Sequence, residues 1–454
     1  MLNNNHINQA QNPISIFIKK LLFTDENVGE IAVFVFFLSL AIIFHMDKVL
    51  LGGYSSVRME AALECVELIR SLYCGNRLLS YGFYSWAPDY CLGIPAYATH
   101  FAPYNLISML GIVVPMWGLY SGIVITTMTL AGFGFYLFIK YFFCLPHWVA
   151  MLGGGLFALS SQVQPGLLYA LIFCYAFPLF FVCSLCIGLE QKSAGNKQIW
   201  IYFFIVLFLS FVSFPTYTLQ TYSVVQIMII LLFNYELKKK FTMIMATFLI
   251  WVGYAMIHLP NVVALIDMSK WYHRDYIYRI NNSFGSSIST LSSSLINFFK
   301  KEFLMISFHD ASYPFLICST AMLFWSSRTR RCWALLLFFG ILIFCSGSSR
   351  SFIPLWMARA DLDHFIWVLP LGMNINTCIF LDEIFNKKIF GRFCIFLAAI
   401  GILFIIFRKN LKDLLFFIET KELISTFIRD RIFLNKSTFI FVICYGLLAS
   451  KANN

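Results

Sequence analysis

The chain has 454 residues, 60% of them hydrophobic and only 12% charged, with a mean hydropathy of +0.77. Soluble domains carry about 25% charge, so composition excludes a soluble enzyme and a disordered chain and points to a polytopic helical membrane protein. The net charge of +11 does not imply a nucleic-acid partner, because the cations gather at the flanks of apolar runs, as the positive-inside rule predicts.

The fold class expected is all-α. A β-barrel would alternate in segments of about ten residues, whereas these apolar runs are long and continuous. Residues 1–30 read as a polar, Asn-rich cytoplasmic tail with Lys19 and Lys20. No cleavable signal pattern is present there, so the first apolar run serves as an uncleaved anchor. The apolar runs are Ile31–Met46, Trp117–Phe143, Trp148–Gln162, Leu167–Leu189, Ile199–Ser213, Thr216–Phe233, Phe241–Leu259, Ala311–Trp325, Trp333–Ser346, Phe365–Phe385, Ile389–Phe407 and Thr438–Ala449. They predict about ten to twelve spans in a transmembrane domain over 31–407, some shorter than the roughly 20 residues a spanning helix needs.

Basic clusters orient these spans. Lys19-Lys20, Lys192/Lys197, Lys238-Lys239-Lys240 and Arg328/Arg330/Arg331 fall at alternate connections. They place the N-terminus in the cytoplasm and the loops 47–116, 260–310 and 347–364 outside. Lys387-Lys388 and Arg408-Lys409 both read as cytoplasmic although one apolar run separates them, so a segment near 365–407 is expected to be re-entrant. Residues 408–436 carry Leu411, Leu414, Leu415, Ile418 and Phe427 at helical spacing among charges. They predict a surface amphipathic helix or a short exposed linker helix. Residues 437–454 form a last hydrophobic segment and tail.

Thirteen cysteines are scattered, with no CxxC pair at zinc-site spacing. Chemistry is therefore sought in the outward loops. The first of these holds Asp47, an acidic face formed by Glu60, Glu64 and Glu67, and then Trp86-Ala87-Pro88-Asp89, Gly93-Ile94-Pro95 and Ala102-Pro103-Tyr104-Asn105-Leu106. Breakers, aromatics and an acid this close together predict an ordered outer element with short helices along the membrane. Asp89 suits a general base or a ligand for a divalent cation (Mg or Mn) beside a phosphate leaving group; the plainer reading is a turn or helix-cap residue. In the second loop, His273 suits proton transfer and Arg274 a phosphate clamp, against ordinary interfacial anchoring by Trp271, Tyr272 and Lys270. Arg350 and Arg359 in the third loop suit a lipid phosphate, or simple contact with anionic lipid.

Four places resemble the YfhO-like bacterial membrane proteins of the GT-C glycosyltransferase superfamily. These are Leu50-Leu51-Gly52-Gly53, the pattern Trp86…Gly93-Ile94-Pro95…Pro103-Tyr104-Asn105-Leu106, the helix Leu130-Ala131-Gly132-Phe133-Gly134-Phe135-Tyr136-Leu137, and Leu152-Gly153…Leu156-Phe157-Ala158-Leu159-Ser160. The resemblance covers residues 30–190 well and 240–370 thinly. It implies a GT-C bundle with a structured first outer loop, a polyprenyl-phosphate-linked sugar donor, and sugar transfer at the outer face of the bacterial inner membrane onto a glycan or lipid acceptor, in cell-envelope synthesis. Tyr54 stands just after Gly52-Gly53, where the family often has an acid. Either Asp47, Glu60 or Asp89 takes the catalytic role, or the chain is not a transferase. The family's later cationic segment is represented only by Ala360-Asp361-Leu362-Asp363-His364-Phe365. The expected site thus has Asp89, Asp47 and Glu60 as candidate acids, Arg274, Arg350 and Arg359 for the donor phosphate, and Trp86, Tyr104 and His273 against substrate. The alternatives are a polysaccharide-unit flippase or other transporter, and an O-antigen-type polymerase.

Overall fold

The computed structural model describes residues 28–46, 86–87, 94–95, 110, 112–160, 163, 216–233, 236–257, 259, 263, 267, 310–347 and 368–385. These form eight α-helices and one minimal strand pair: α1 Val28–Phe44, β1 Trp86–Ala87, β2 Ile94–Pro95, α2 Met116–Leu137, α3 His147–Ala158, α4 Thr216–Leu232, α5 Leu237–Ile257, α6 Tyr313–Ser319, α7 Ser327–Gly347 and α8 Val368–Ile384. The all-α expectation holds for this part of the chain. Eight of the twelve apolar runs are helical; the other four, with the predicted segments 408–436 and 437–454, lie outside the described residues. The first helix starts at Val28, three residues earlier than the tail boundary set from composition.

The helices are apolar on most sides, and tertiary contacts decide which face turns inward. In α1, Val33, Phe37 and Ala41 recur every four residues and are buried, while Ile31, Phe34, Val35, Ile42 and Ile43 are exposed. In α5, Phe241, Met245, Phe248, Leu249, Val252 and Met256 are exposed. The interior is built on α3 and α8. Every residue of α3 from Val149 to Ala158 is buried, as is every residue of α8 from Val368 to Leu381. Around them α1 packs on α2, α2 on α3, α3 on α8, and α6 and α7 on α8, while α5 packs on α4. One helical stretch among the described residues, Val124–Phe142, is both long and apolar enough to cross a membrane. The 17-residue helices α1, α4 and α8 fall below the usual spanning length of about 20 residues.

The helix ends depart from the apolar runs for local reasons. The run 117–143 ends as a π-helical turn, Phe138–Phe142, followed by Cys144 at φ 53°. A left-handed conformation costs a non-glycine residue about 1–2 kcal/mol, and glycine returns about 0.4–1 kcal/mol of that to the unfolded chain. Cys144→Gly is therefore expected to raise stability by about 0.5–1 kcal/mol, read as a higher melting temperature of the detergent-purified chain; a lower one contradicts the left-handed turn. The run 311–325 is split into α6 and a 3₁₀ turn, Thr320–Phe324. The Ser319 hydroxyl donates to Leu316 O and the Thr320 hydroxyl to Ile317 O, which competes with regular helix bonding. Helix α7 starts at Ser327, six residues before its apolar run, because the Ser326 hydroxyl accepts the Thr329 N–H and caps it.

In the connection between α1 and α2 the structure places an antiparallel pair at the expected aromatic and proline cluster, with Trp86 opposite Pro95 and Ala87 opposite Ile94. Sequence reading expected short helices here. Pro95 has no N–H to extend the ladder, which keeps the pair short. The six-residue connection between the strands, 88–93, contains Asp89.

Candidate functional site

Charge collects at one end of the bundle, called here the basal end. Glu30 in the first turn of α1 accepts from Lys140 Nζ at 3.1 Å and from the Tyr141 hydroxyl. Lys140 also lies 5.7 Å from the centre of the Tyr136 ring and 5.0 Å from that of Tyr141, a cation–π arrangement. Tyr136 Oη lies 2.8 Å from His147 Nδ1. On the other side Arg328 spans three elements. Its Nη1 donates to Asp382 Oδ2 at 3.0 Å and its Nη2 to Phe143 O at 3.3 Å. Beside it, the Thr329 hydroxyl donates to Glu383 Oε2 at 3.0 Å.

The two ion pairs differ in how they suit their own helices. An acid at a helix N-terminus and a base at a C-terminus complement the macrodipole. Glu30 and Lys140 follow that rule. Arg328, opening α7, and Asp382 with Glu383, closing α8, violate it. Each becomes favourable only when the two antiparallel helices bring these ends together. Arg328 and Asp382 are about one-third and one-quarter exposed. Solvent screening therefore keeps their pairing well below the roughly 3–5 kcal/mol of a fully buried pair. Arg328→Gln, which also loses the bond to Phe143 O, is expected to cost about 1–2 kcal/mol, and Asp382→Asn less. Thermal melts of both variants test this order, and equal melting to the parent for Arg328→Gln overturns it.

A second polar group lies inside the bundle; its hydrogen-bonding side chains are neutral, with the buried Asp310 two residues before Ser312. The Ser319 hydroxyl donates to Leu316 O at 2.7 Å and accepts from Trp333 Nε1 at 3.1 Å and from the Asn376 amide. Thr377 Oγ1 donates to Met373 O at 2.9 Å and lies 3.5 Å from Ser312 O. The two ends of α6 thus meet neighbouring residues of α8, so α6 crosses α8. Asn376 sits eight residues before the end of α8, about 12 Å from the basal end at 1.5 Å per residue. Ser312 Oγ, Asn374 Oδ1 and Asn376 Oδ1 are buried without a hydrogen-bond partner among the described residues. Amides and hydroxyls of this kind tie helices together where lipid offers no alternative. They supply no proton donor or acceptor near neutral pH. Among the described residues no three His, Cys, Asp or Glu side chains are grouped to hold a metal ion.

Of the residues singled out from sequence, Trp86 is described, as the first residue of β1. Asp47, Glu60, Asp89, Tyr104, His273, Arg274, Arg350 and Arg359 lie outside the described residues. Connectivity nevertheless relates their segments. Helix α1 begins at the basal end and α2 finishes there, so the connection 45–115, with β1 and β2, leaves and returns at the opposite, distal end. Helix α7 begins and α8 ends basally, so α7 leaves and α8 enters at the distal end by the same logic. Helix α4 reaches the basal end, where Phe233 stacks edge-on against Phe143 at 4.9 Å. Helix α5 starts beside it, with Lys240 Nζ 2.9 Å from Leu231 O, so the segment after α5 departs distally. All nine candidates therefore belong to stretches of chain that leave the bundle at its distal end. Every lysine and arginine among the described residues (Lys140, Lys238, Lys239, Lys240, Arg328, Arg330 and Arg331) lies at the basal end.

Sequence reading missed the basal pairs and the Ser319–Asn376–Trp333 contact. Asp382-Glu383 inside an apolar run was a visible signal; nothing local marked Arg328 or Glu30 as their kind of residue rather than a topogenic flank. No protein-family model, no curated protein and no solved structure matches the chain.

Proposed function

We propose that the chain is a polytopic membrane glycosyltransferase of GT-C type. It has about ten to twelve membrane helices and a cytoplasmic N-terminus, and it transfers a sugar from a polyprenyl-phosphate donor to a cell-envelope glycan or lipid at the outer face. The observation that carries this reading is the polarity of the bundle: all described cations are basal, and every stretch holding a candidate acid, phosphate-binding arginine or aromatic departs distally. With the basal end in the cytoplasm, the candidates share the outer face. Exposed apolar faces on α1 and α5 suit lipid contact. Asp89, Asp47 or Glu60 supplies the base, or holds a divalent cation. Arg274, Arg350 and Arg359 take the donor phosphate, and Trp86, Tyr104 and His273 take the sugar or acceptor.

The transporter reading draws on the broken helix α6 beside the neutral amides of α8, since discontinuous helices near mid-depth are a transporter feature. Against it, the described charges sit at the end of the bundle apart from Asp267 and the buried Asp310, and among the described residues the ion pairs Glu30–Lys140 and Arg328–Asp382 are both basal. The test uses membrane vesicles carrying the chain, supplied with a polyprenyl-phosphate sugar labelled in the sugar. Label moving onto an acceptor supports transfer. Donor that crosses the bilayer with its sugar still attached overturns transfer in favour of transport. Cysteines placed at Ser80 and Ser287 are expected to react from outside; reaction only after the cytoplasmic face is opened reverses the orientation.

A further inference from the structure

The basal cations fall into two groups. Lys140 and Arg328 are held by carboxylates between helices. Lys238, Lys240, Arg330 and Arg331 have no acidic partner among the described residues, and the two whose contacts are defined rest on backbone carbonyls: Lys240 on Leu231 O, and Arg330 Nη1 on Leu323 O at 3.1 Å. A carbonyl fixes the position of a cation without neutralising it. The two sets are linked through the protein. Lys240 contacts the end of α4, Phe233 just beyond α4 stacks on Phe143, and Phe143 O accepts from Arg328, two residues before Arg330. Leu237, Phe241 and Phe324 stand exposed next to these cations. Among the described residues the face thus offers four cations against one exposed acid beside them, Glu236, directly next to apolar surface. Its complement is an amphiphile with an anionic head and a hydrocarbon body.

We propose that this basal rim is a binding site for an anionic phospholipid, whose phosphate bridges Lys238 and Lys240 on the α4–α5 hairpin to Arg330 and Arg331 on α7. The site rests on the membrane reading and is independent of sugar transfer. Helix α5 packs on α4, so a headgroup held from both sides fastens that hairpin to the α7–α8 pair. A free phosphate or an acidic peptide would satisfy the charges but leave Leu237, Phe241 and Phe324 in water.

The experiment uses the full chain in nanodiscs of phosphatidylcholine and phosphatidylglycerol, with the lipids retained by the protein counted by native mass spectrometry. The chain is expected to enrich phosphatidylglycerol about fivefold or more, the scale of even one interfacial cation. Raising salt to about 0.5 M should remove most of that enrichment. The quadruple variant Lys238→Gln, Lys240→Gln, Arg330→Gln, Arg331→Gln should retain both lipids equally. The charge-keeping exchange Lys238→Arg, Lys240→Arg, Arg330→Lys, Arg331→Lys should preserve the enrichment. No enrichment by the parent chain, enrichment insensitive to salt, or enrichment kept by the glutamine variant each overturns the site. Release of the chain from native membranes by alkaline carbonate overturns the membrane reading, and the lipid site with it.

Discussion

Gly154→Val is expected to abolish the native core, lowering stability by about 3 kcal/mol or more, the upper range for overfilling a packed interior. A Cβ on Gly154 would stand 2.6 Å from the backbone oxygen of Gly132, 2.6 Å from Phe37 Cζ and 3.3 Å from Tyr136 Cβ. A side chain could turn aside, but a helix carbonyl cannot move without moving α2. The obstruction is mutual, because a Cβ on Gly132 would meet Phe37 Cδ1 at 2.6 Å and Ala158 Cβ at 3.1 Å. Small residues on α2 and α3 thus let two backbones approach and leave a slot that Phe37 of α1 closes. Gly122→Ala and Gly340→Ala are the controls. Neither new Cβ meets anything within 4 Å, so both should gain up to about 1 kcal/mol from helix propensity. Melting curves in detergent decide the matter. A Gly154→Val protein that melts within about 2 °C of the parent overturns the α2–α3 crossing.

Asp89→Asn is expected to lower sugar transfer by about 10²-fold or more, the scale for losing a general base, while leaving expression unchanged. Asparagine keeps the shape but neither takes a proton nor neutralises a metal ion. The strand pair Trp86–Ala87 with Ile94–Pro95 ties together the two ends of the segment holding Asp89. Of the three candidate acids it is the one whose segment, 88–93, is bounded on both sides by paired backbone. Arg350→Ala should mainly weaken donor binding, raising KM with less effect on kcat. Asp361→Asn, in the same assay, is the control. Full activity in Asp89→Asn rejects the assignment; a dead Asp47→Asn or Glu60→Gln then transfers the role to that acid. Full activity in all three variants makes Tyr54, at the position after Gly52-Gly53, the mark of a protein that is not a transferase.

The sequence carried the helices more clearly than their ends or partners. Continuous apolar runs located all eight described helices, because length and hydropathy are local properties. The ends were harder. Ser326 caps α7 from within a polar stretch, and the π turn after Leu137 and the 3₁₀ turn after Ser319 arise inside apolar runs at points where no proline or glycine stands. Pairing was out of reach. Arg328 and Asp382 are 54 residues apart and Lys140 and Glu30 are 110 apart, and no periodicity selects such partners. The cluster at 86–95 was legible as a structured place from its aromatics and prolines, but its strand pairing was not. Five short-range breakers and rings suit a surface helix or a hairpin equally well, and Pro95 opposite Trp86 is a tertiary choice.

Helix α8 has no face that lipid could wet, and its sequence shows what that means for how the chain is made. It carries Pro370, Asn374, Asn376, Asp382 and Glu383 in 17 residues, a combination that insertion machinery handles poorly when a helix is offered alone. Its Asn376 finds Ser319 and its acids find Arg328 and Thr329, all on segments synthesised before it. On the proposed membrane reading, α6 and α7 wait near the translocon until α8 emerges and joins them. A ribosome stalled soon after Gly347 would leave Ser319, Trp333 and Arg328 without their counterpart. Membrane quality control would see that intermediate as an orphaned polar patch, so the half-life of truncated chains should fall sharply for end points before Glu383 and recover just beyond it.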